Sequence, residues 1–320
     1  MNGTDSARSS TSSDRTVQLN SPDPRSQDSR RGIAVAALLA GAAAIASSAL
    51  FVKVSETGPV ATAFWRVALA LPVLWTWSVI ASRGGHVAGF AAERRLIIAA
   101  GLFFTGDLAV WHWSIMLTSV ANATLLANLA PIFVTLAVWL LWGRRPTPLF
   151  LAGLAAALAG VTVLLGGDFR AGGGAVLGDV LGVVTAMFYG AYQLTITRAR
   201  ARSATSVIMA WTALVTTAAL LPLALASGEQ IFPHSAAGWA KLAGLALISQ
   251  VAGQSMITYA MAHLPATFSA VGLLAQPVIA AALAWVLLGE TLGWIEIGGA
   301  LVVLAGIRIV HQAEFARRTP

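Results

Sequence analysis

The chain has 320 residues, of which 57% are hydrophobic and only 10% charged, and its mean hydropathy is +0.77. A soluble domain carries roughly 25% charged residues, so this composition excludes an ordinary globular protein and points to a polytopic membrane protein. The net charge of +7 raises the question of a nucleic-acid partner, which its distribution answers below, and the absence of cysteine excludes disulfides, thiol catalysis and cysteine metal sites.

Residues 1–31 are rich in Ser, Arg, Asp and Pro and read as a disordered cytoplasmic tail. They hold no apolar stretch with a cleavage site behind it, so they are not a signal peptide. Ten apolar segments follow, at 33–54, 60–82, 95–116, 119–142, 147–166, 178–197, 205–226, 239–262, 266–288 and 291–311. Each approaches the roughly 20 residues that a ~30 Å hydrocarbon core requires of a helix. The connections are short and carry turn residues, as in "GGDFRAGGG" at 166–174. Residues 313–320 form a short second tail.

Ten spans place both termini on one side. Sixteen basic residues fall there, including Arg83, Arg94, Arg95, Arg144, Arg145, Arg198, Arg200 and Arg202. Three fall on the other side: Lys53, Arg170 and Lys241. The bias predicts cytoplasmic termini, and it makes the basic charge a matter of topology, with no nucleic-acid partner. Two lysines stand against eighteen arginines in an alanine-rich chain, a usage that fits a bacterial inner-membrane protein. Most tryptophans fall near span ends, as interfacial belts do; Trp111 and Trp211 do not.

The chain repeats at an offset of 146. Trp65 maps to Trp211, Trp113 to Tyr259, Pro131 to Pro277, Trp139 to Trp285 and Gly143 to Gly289; Gly153 and Gly160 map to Gly299 and Gly306. A constant offset over five spans marks an internal repeat. Five is odd, so the second half enters the membrane from the opposite face, as in many secondary transporters. The expected fold is an all-α polytopic membrane protein, with ten transmembrane helices in two inverted five-helix repeats, 32–167 and 178–312.

Four stretches carry a family resemblance: "FWRVALALP" at 64–72, "TSVANATLLANLAPIFVTLAVWLLWGRRPT" at 118–147, "LGDVLGVVTAMFYGAYQLTITRAR" at 177–200 and "QPVIAAALAWVLLGETLGWIEIGGALVVLAGI" at 276–307. With them the chain resembles the drug/metabolite transporter superfamily, in its EamA-like branch. The resemblance implies ten helices in two inverted repeats and movement of small organic solutes, often outward. It also implies a glutamate after the glycine that closes each repeat's fourth span. Glu290 fits that pattern, but Arg144 stands at the first position.

Polar residues inside the spans are the candidate substrate pathway. Asp107 lies ~18 Å from one end of its span and ~13 Å from the other, near the midplane. An ionised carboxylate there costs roughly 2.5 kcal/mol or more unless it faces water or a partner. It reads either as a substrate or proton site or as a structural carboxyl between helices. Arg66, ~9 Å deep, stands where the family often has an arginine; it either snorkels outward or pairs with Asp107. Trp111, at i+4, shares the Asp107 face. His112 is turned about 140° from it and reads as a satisfied interfacial histidine.

Three polar stripes run at helical spacing: Gln250, Gln254 and Thr258; Thr185, Tyr189 and Gln193; Thr124, Asn128, Pro131 and Thr135. Such faces look at neighbours or at a wet cavity, not at lipid. Pro131 and Pro277 occupy equivalent positions. Each deprives the carbonyl four residues back, Ala127 or Leu273, of its donor, beside Asn128 and Gln276. Matched interruptions in inverted halves point to a binding site and offer a pair of hinges.

Other classes fare worse. A Gly-x-Gly-Asp protease site would need glycine where Phe104 and Val176 stand. Neither His-Glu-x-x-His nor Gly-x-Ser-x-Gly occurs. With no Walker A loop, energy must come from an ion or solute gradient. The reading is a secondary transporter of a small organic metabolite (amino acid-like or drug-like), more often an exporter by resemblance. It would draw on a proton or another ion and use no metal and no cofactor. A small-solute channel is the alternative, an intramembrane enzyme the distant one.

Overall fold

Lipid offers no hydrogen-bond partner, so a spanning backbone satisfies itself as helix. Only proline and packing then decide where a helix is broken. The protein was analysed as a computed structural model that describes residues 24–83, 90–118, 120–165, 175–289 and 293–315. Among these no strand occurs. Arg170 and Glu290, named above, lie outside the described residues, and so do Arg8, Arg15, Arg317 and Arg318, which belong to the sixteen basic residues counted on one side.

The first repeat contains α1 (Pro24–Ala46), α2 (Ser48–Lys53), α3 (Pro59–Ala68), α4 (Leu71–Arg83), α5 (Phe90–Leu117), α6 (Val120–Ala127), α7 (Ala130–Trp142) and α8 (Pro148–Leu165). Residues 24–31, assigned to the tail by composition, are the first turns of α1, with the Arg31 guanidinium 5.9 Å from the centre of the Phe315 ring. The second repeat contains α9 (Ala175–Ala199), α10 (Thr205–Ala226), α11 (Ala236–Leu245), a π-helical segment (Ala246–Gly253), α12 (Gln254–Ala260), α13 (Ala266–Gly272), α14 (Ala275–Leu288) and α15 (Trp294–Phe315).

Nine helices, some in two pieces, are long and apolar enough to cross a membrane among the described residues. The span expected at 239–262 falls in the remaining stretch, Ala236–Ala260, whose middle is the π-helical segment. Three other spans are broken where proline dictates. α3 ends at Ala68, four residues before Pro72; α6 ends at Ala127, four before Pro131; α13 ends at Gly272, next to Leu273, four before Pro277.

The offset seen in the sequence recurs in the fold. α3 and α10 start at 59 and 205, α6 and α13 at 120 and 266, α8 and α15 at 148 and 294. Gly143 and Gly289 close α7 and α14 with φ of 66° and 69°, left-handed conformations that glycine adopts without strain. α8 and α15 also show the inversion, because they pack on one another. A Cβ on Gly153 would lie 2.9 Å from the Gly306 carbonyl oxygen, and one on Gly160 would lie 2.7 Å from that of Gly299. The contact numbers fall on one helix as they rise on the other, so the two equivalent helices run antiparallel. Small residues let their backbones approach this closely.

A second tie joins the repeats at the end where α2 meets α3. Glu229 accepts hydrogen bonds from the Val60 and Ala61 amides at 2.9 and 3.2 Å. Glu56 accepts from the His234 and Ser235 amides, both at 3.1 Å, and from the Ser235 hydroxyl at 2.6 Å. Each carboxylate thus sits at the start of a helix of the other repeat, where free amides and the dipole favour an anion. Trp65 reinforces the tie: its indole N–H donates to the Ile231 carbonyl at 2.7 Å, and its ring meets Trp239 edge-on at 4.9 Å. Trp211 stacks on Phe90 at 4.0 Å and belongs to the packing between α10 and its neighbours.

Candidate functional site

The broken and unbroken helices enclose a cavity of about 640 Å³, walled by α1–α3, α5, α6, α9, α14, Leu245 and Gln254. That volume lies in the range of small-molecule sites. Arg66, Asp107, Trp111, Asn128, Tyr189, Gln254, Gln276 and Pro277 all face it. Gln193 and Pro131 face a smaller adjoining cavity, and Gln250 faces neither.

Gln250 acts from behind. Its side chain is 2% exposed, and its amide oxygen accepts from Arg66 Nε at 3.2 Å. Arg66 is therefore aimed by an amide on the π-helical segment, and it forms no direct ion pair with Asp107 among the described contacts. Both groups line one cavity. Gln254 donates to the Tyr192 hydroxyl at 2.7 Å. Tyr192 is fully buried and stacks on Phe104 at 4.9 Å. Tyr192 continues the Thr185–Tyr189 stripe at i+3 from Tyr189, the one signal by which sequence reasoning could have found it.

His112 corrects an expectation. It is not an interfacial histidine but 3% exposed, on the cavity wall beside Trp111. A carbonyl only accepts, so Nδ1–H donates to the Leu108 carbonyl at 2.5 Å, and the other ring nitrogen is Nε2. That atom is buried without a hydrogen-bond partner. The 140° between Asp107 and His112 still permits both to line a cavity this wide.

At the helix breaks, Asn128 does not reach the Ala127 carbonyl: its Nδ2 donates one turn back, to the Thr124 carbonyl at 2.7 Å. The Leu273 carbonyl is taken by the Gln276 backbone amide at 3.0 Å, a tight i+3 turn. Thr124 and Thr185 line the large cavity, while Thr135 and Thr258 do not; Thr258 donates to Met209 Sδ at 3.3 Å. Among the described residues no group of His, Cys, Asp and Glu could hold a metal ion.

Two repeats of membrane-spanning helices around a largely apolar cavity that holds a carboxyl and a guanidinium group define a membrane transporter. The EamA-like transporter family model matches the chain twice, over residues 32–166 and 176–311, and the chain belongs to that family. An uncharacterized transporter of Archaeoglobus fulgidus is 26% identical over 271 residues, which are 82% of this chain and 91% of that protein. One solved crystal structure superposes with a TM-score of 0.75 at 18% identity, covering 93% of this chain and all of its own; it shows a shared fold.

Proposed function

We propose that the protein is a secondary carrier that binds a small organic solute in the 640 Å³ cavity, with Asp107 and Arg66 contacting its polar groups and Trp111 an apolar or aromatic part. The observation that carries this reading is that both intramembrane ionisable side chains line one cavity and form no direct ion pair among the described residues. A structural pair would have closed to hydrogen-bond distance, since burial in low dielectric rewards contact. The repeats 32–167 and 178–312 would rock against each other, as inverted repeats allow, with Pro131 and Pro277 as hinges and the Ala236–Ala260 stretch as the tenth crossing. The termini face the cytoplasm of a bacterial inner membrane, an ion gradient supplies the energy, and export is the favoured direction.

The test is counterflow in proteoliposomes, with solutes chosen beforehand by their ability to raise the midpoint temperature of the purified protein. Saturable exchange is expected; flux that grows linearly with concentration and shows no exchange would make the protein a channel. Topology is read separately. In right-side-out vesicles a cysteine at Ala201 should be shielded from an impermeant thiol reagent and one at Ser227 should react, both positions being exposed. The reverse pattern would invert the assigned orientation.

A further inference from the structure

The large cavity is one-sided. In each of the three broken spans, the half-helix at the end where α2 meets α3 lines it, as α3, α6 and α14 do. The other half, α4, α7 or α13, contributes no described residue to its wall. Behind the wall residues Phe104 and Gln254 the middle of the molecule is closed. Gln254 reaches the Tyr192 hydroxyl at 2.7 Å, and the Tyr192 ring lies on Phe104. One turn further along, Thr258 meets Met209. Tyr192, Met209, Gln254 and Thr258 are each at most 1% exposed.

The internal repeat gives this contrast a meaning. At the offset of 146, Tyr192, Met209, Gln254 and Thr258 correspond to Ala46, Ala63, Leu108 and His112. All four of those line the cavity. The positions that close the molecule in the second repeat therefore stand on the cavity wall in the first. Inverted repeats that exchange conformations exchange such environments, so Met209 and Thr258 become wall residues in the opposite state. The closed half also holds polar groups ill suited to permanent closure. Thr135 on α7 and Ser269 on α13 are 7% and 0% exposed, and neither hydroxyl has a hydrogen-bond partner. The two helices pack on one another. Burying such groups unpaired is costly, and water entering an opened half relieves that cost.

We propose that the Tyr192–Gln254 hydrogen bond, backed by the Phe104 ring, is the gate that shuts the cavity toward the end where α10 begins. It joins α9 to the Ala236–Ala260 stretch, and breaking it frees the path past Met209 and Thr258. Its part in transport rests on the carrier reading above.

The chain has no cysteine, so a single introduced thiol reports on its own surroundings. Thr258→Cys places one behind the gate, and Ser48→Cys places one on the cavity wall. Each full-length variant is treated with an impermeant maleimide in right-side-out and in inverted vesicles. The face from which Ser48→Cys reacts defines the cavity's end, and Thr258→Cys is expected to react slowly and from the other face. Tyr192→Phe and Gln254→Leu then break the bond from either partner, and Tyr192→Phe keeps the ring on Phe104. In each background the ratio of the Thr258→Cys rate to the Ser48→Cys rate should rise roughly three- to tenfold, the population shift that one lost hydrogen bond allows. A ratio at or below the parent value in both backgrounds overturns the gate, whether neither thiol responds or both loosen together. Counterflow measured in parallel separates the two readings. Solute exchange with an unmoved ratio overturns the gate and leaves the carrier; a raised ratio with no exchange of any solute keeps the gate and removes the carrier.

Discussion

Asp107 and Gly253 occupy equivalent places in the two repeats, 146 residues apart, and they meet opposite surroundings. Asp107 faces the large cavity. Gly253 is pressed against α1, where a Cβ would lie 3.0 Å from both Ala44 Cβ and Ile45 Cγ1; on the facing Gly41 it would lie 2.8 Å from the Gly253 carbonyl oxygen. The same holds one span earlier. Arg66 stands on the cavity, whereas its equivalent Thr212 is 3% exposed and donates to the Ile208 carbonyl at 2.7 Å. One backbone plan is thus used twice, with ionisable side chains on the cavity at these two positions of the first repeat and small neutral residues packed away at their equivalents in the second.

The packed crossing of Gly41 and Gly253 should be the less forgiving. Gly41→Leu forces a branched side chain into a glycine–glycine crossing with backbone on the far side. Overpacking of that kind costs on the order of 3 kcal/mol, and we expect loss of monodisperse protein or a midpoint lowered more than in any other variant named here. A Gly41→Leu protein that melts like the parent would mean that the two α1 contacts are loose and that the comparison is only one of sequence. Asp107→Asn, on the cavity, keeps shape and removes the ionisable group. The fold should survive, while counterflow falls about 10- to 100-fold, the worth of a hydrogen bond to a charged group. Unchanged transport would leave Asp107 with a structural role.

The proline breaks test the symmetry itself. Pro131 faces the small cavity and Pro277 the large one, although the two end equivalent half-helices. Pro131→Ala and Pro277→Ala restore a donor to Ala127 and Leu273, which favours a continuous helix. Both should insert and bind solute with modest change, and both should slow exchange several-fold, by similar factors, if the breaks act as a pair of hinges. Binding and counterflow measured separately decide it: preserved exchange in both variants removes the hinge role, and a defect in one alone confines it to that repeat.

Much of this was legible in the chain because it follows from period and offset. The spans, the repeat and the breaks at Pro131 and Pro277 come from hydropathy, a constant spacing of 146, and a missing N–H. Placing Asp107, Arg66, Tyr189 and Gln276 on one cavity also followed, since a polar group in a span has few places to go. What the chain could not show depends on which neighbour a side chain meets. Gln250 looks equivalent to Gln254 on a helical wheel, yet the π-helical segment that carries it turns it toward Arg66, and nothing in the sequence announces an i+5 turn. His112 was misjudged because angular distance from Asp107 says nothing about how wide a cavity is. The Glu56 and Glu229 contacts were invisible, because they join loops 168 or more residues apart.

Those loop contacts supply the smallest effect. At the offset of 146, Glu56 corresponds to Arg202 and Glu229 to Arg83, so one end of the molecule is held by carboxylates where the other carries arginines. Arg202 pairs with Glu93 at 3.6 Å, the arginine side being largely exposed, an arrangement worth little. Glu56 is held more firmly. The Ser235 hydroxyl above all, with the Ser235 and His234 amides and the Lys241 charge at 3.8 Å, keeps its carboxyl below the ordinary 4.5, against an opposing effect of burial. A carboxyl whose value is depressed in the folded state stabilises that state above its unfolded value and loses the contribution as the pH falls through the folded value. The parent protein should therefore lose thermal stability as the pH drops below about 4.5, and Glu56→Gln should melt slightly lower at neutral pH and show a shallower fall in acid. Arg202→Gln at the opposite end should change neither the midpoint nor its pH profile. Parallel profiles for parent and Glu56→Gln would mean that Glu229 and Trp65 hold this end without help from Glu56, and that the contrast between the two ends is one of charge alone.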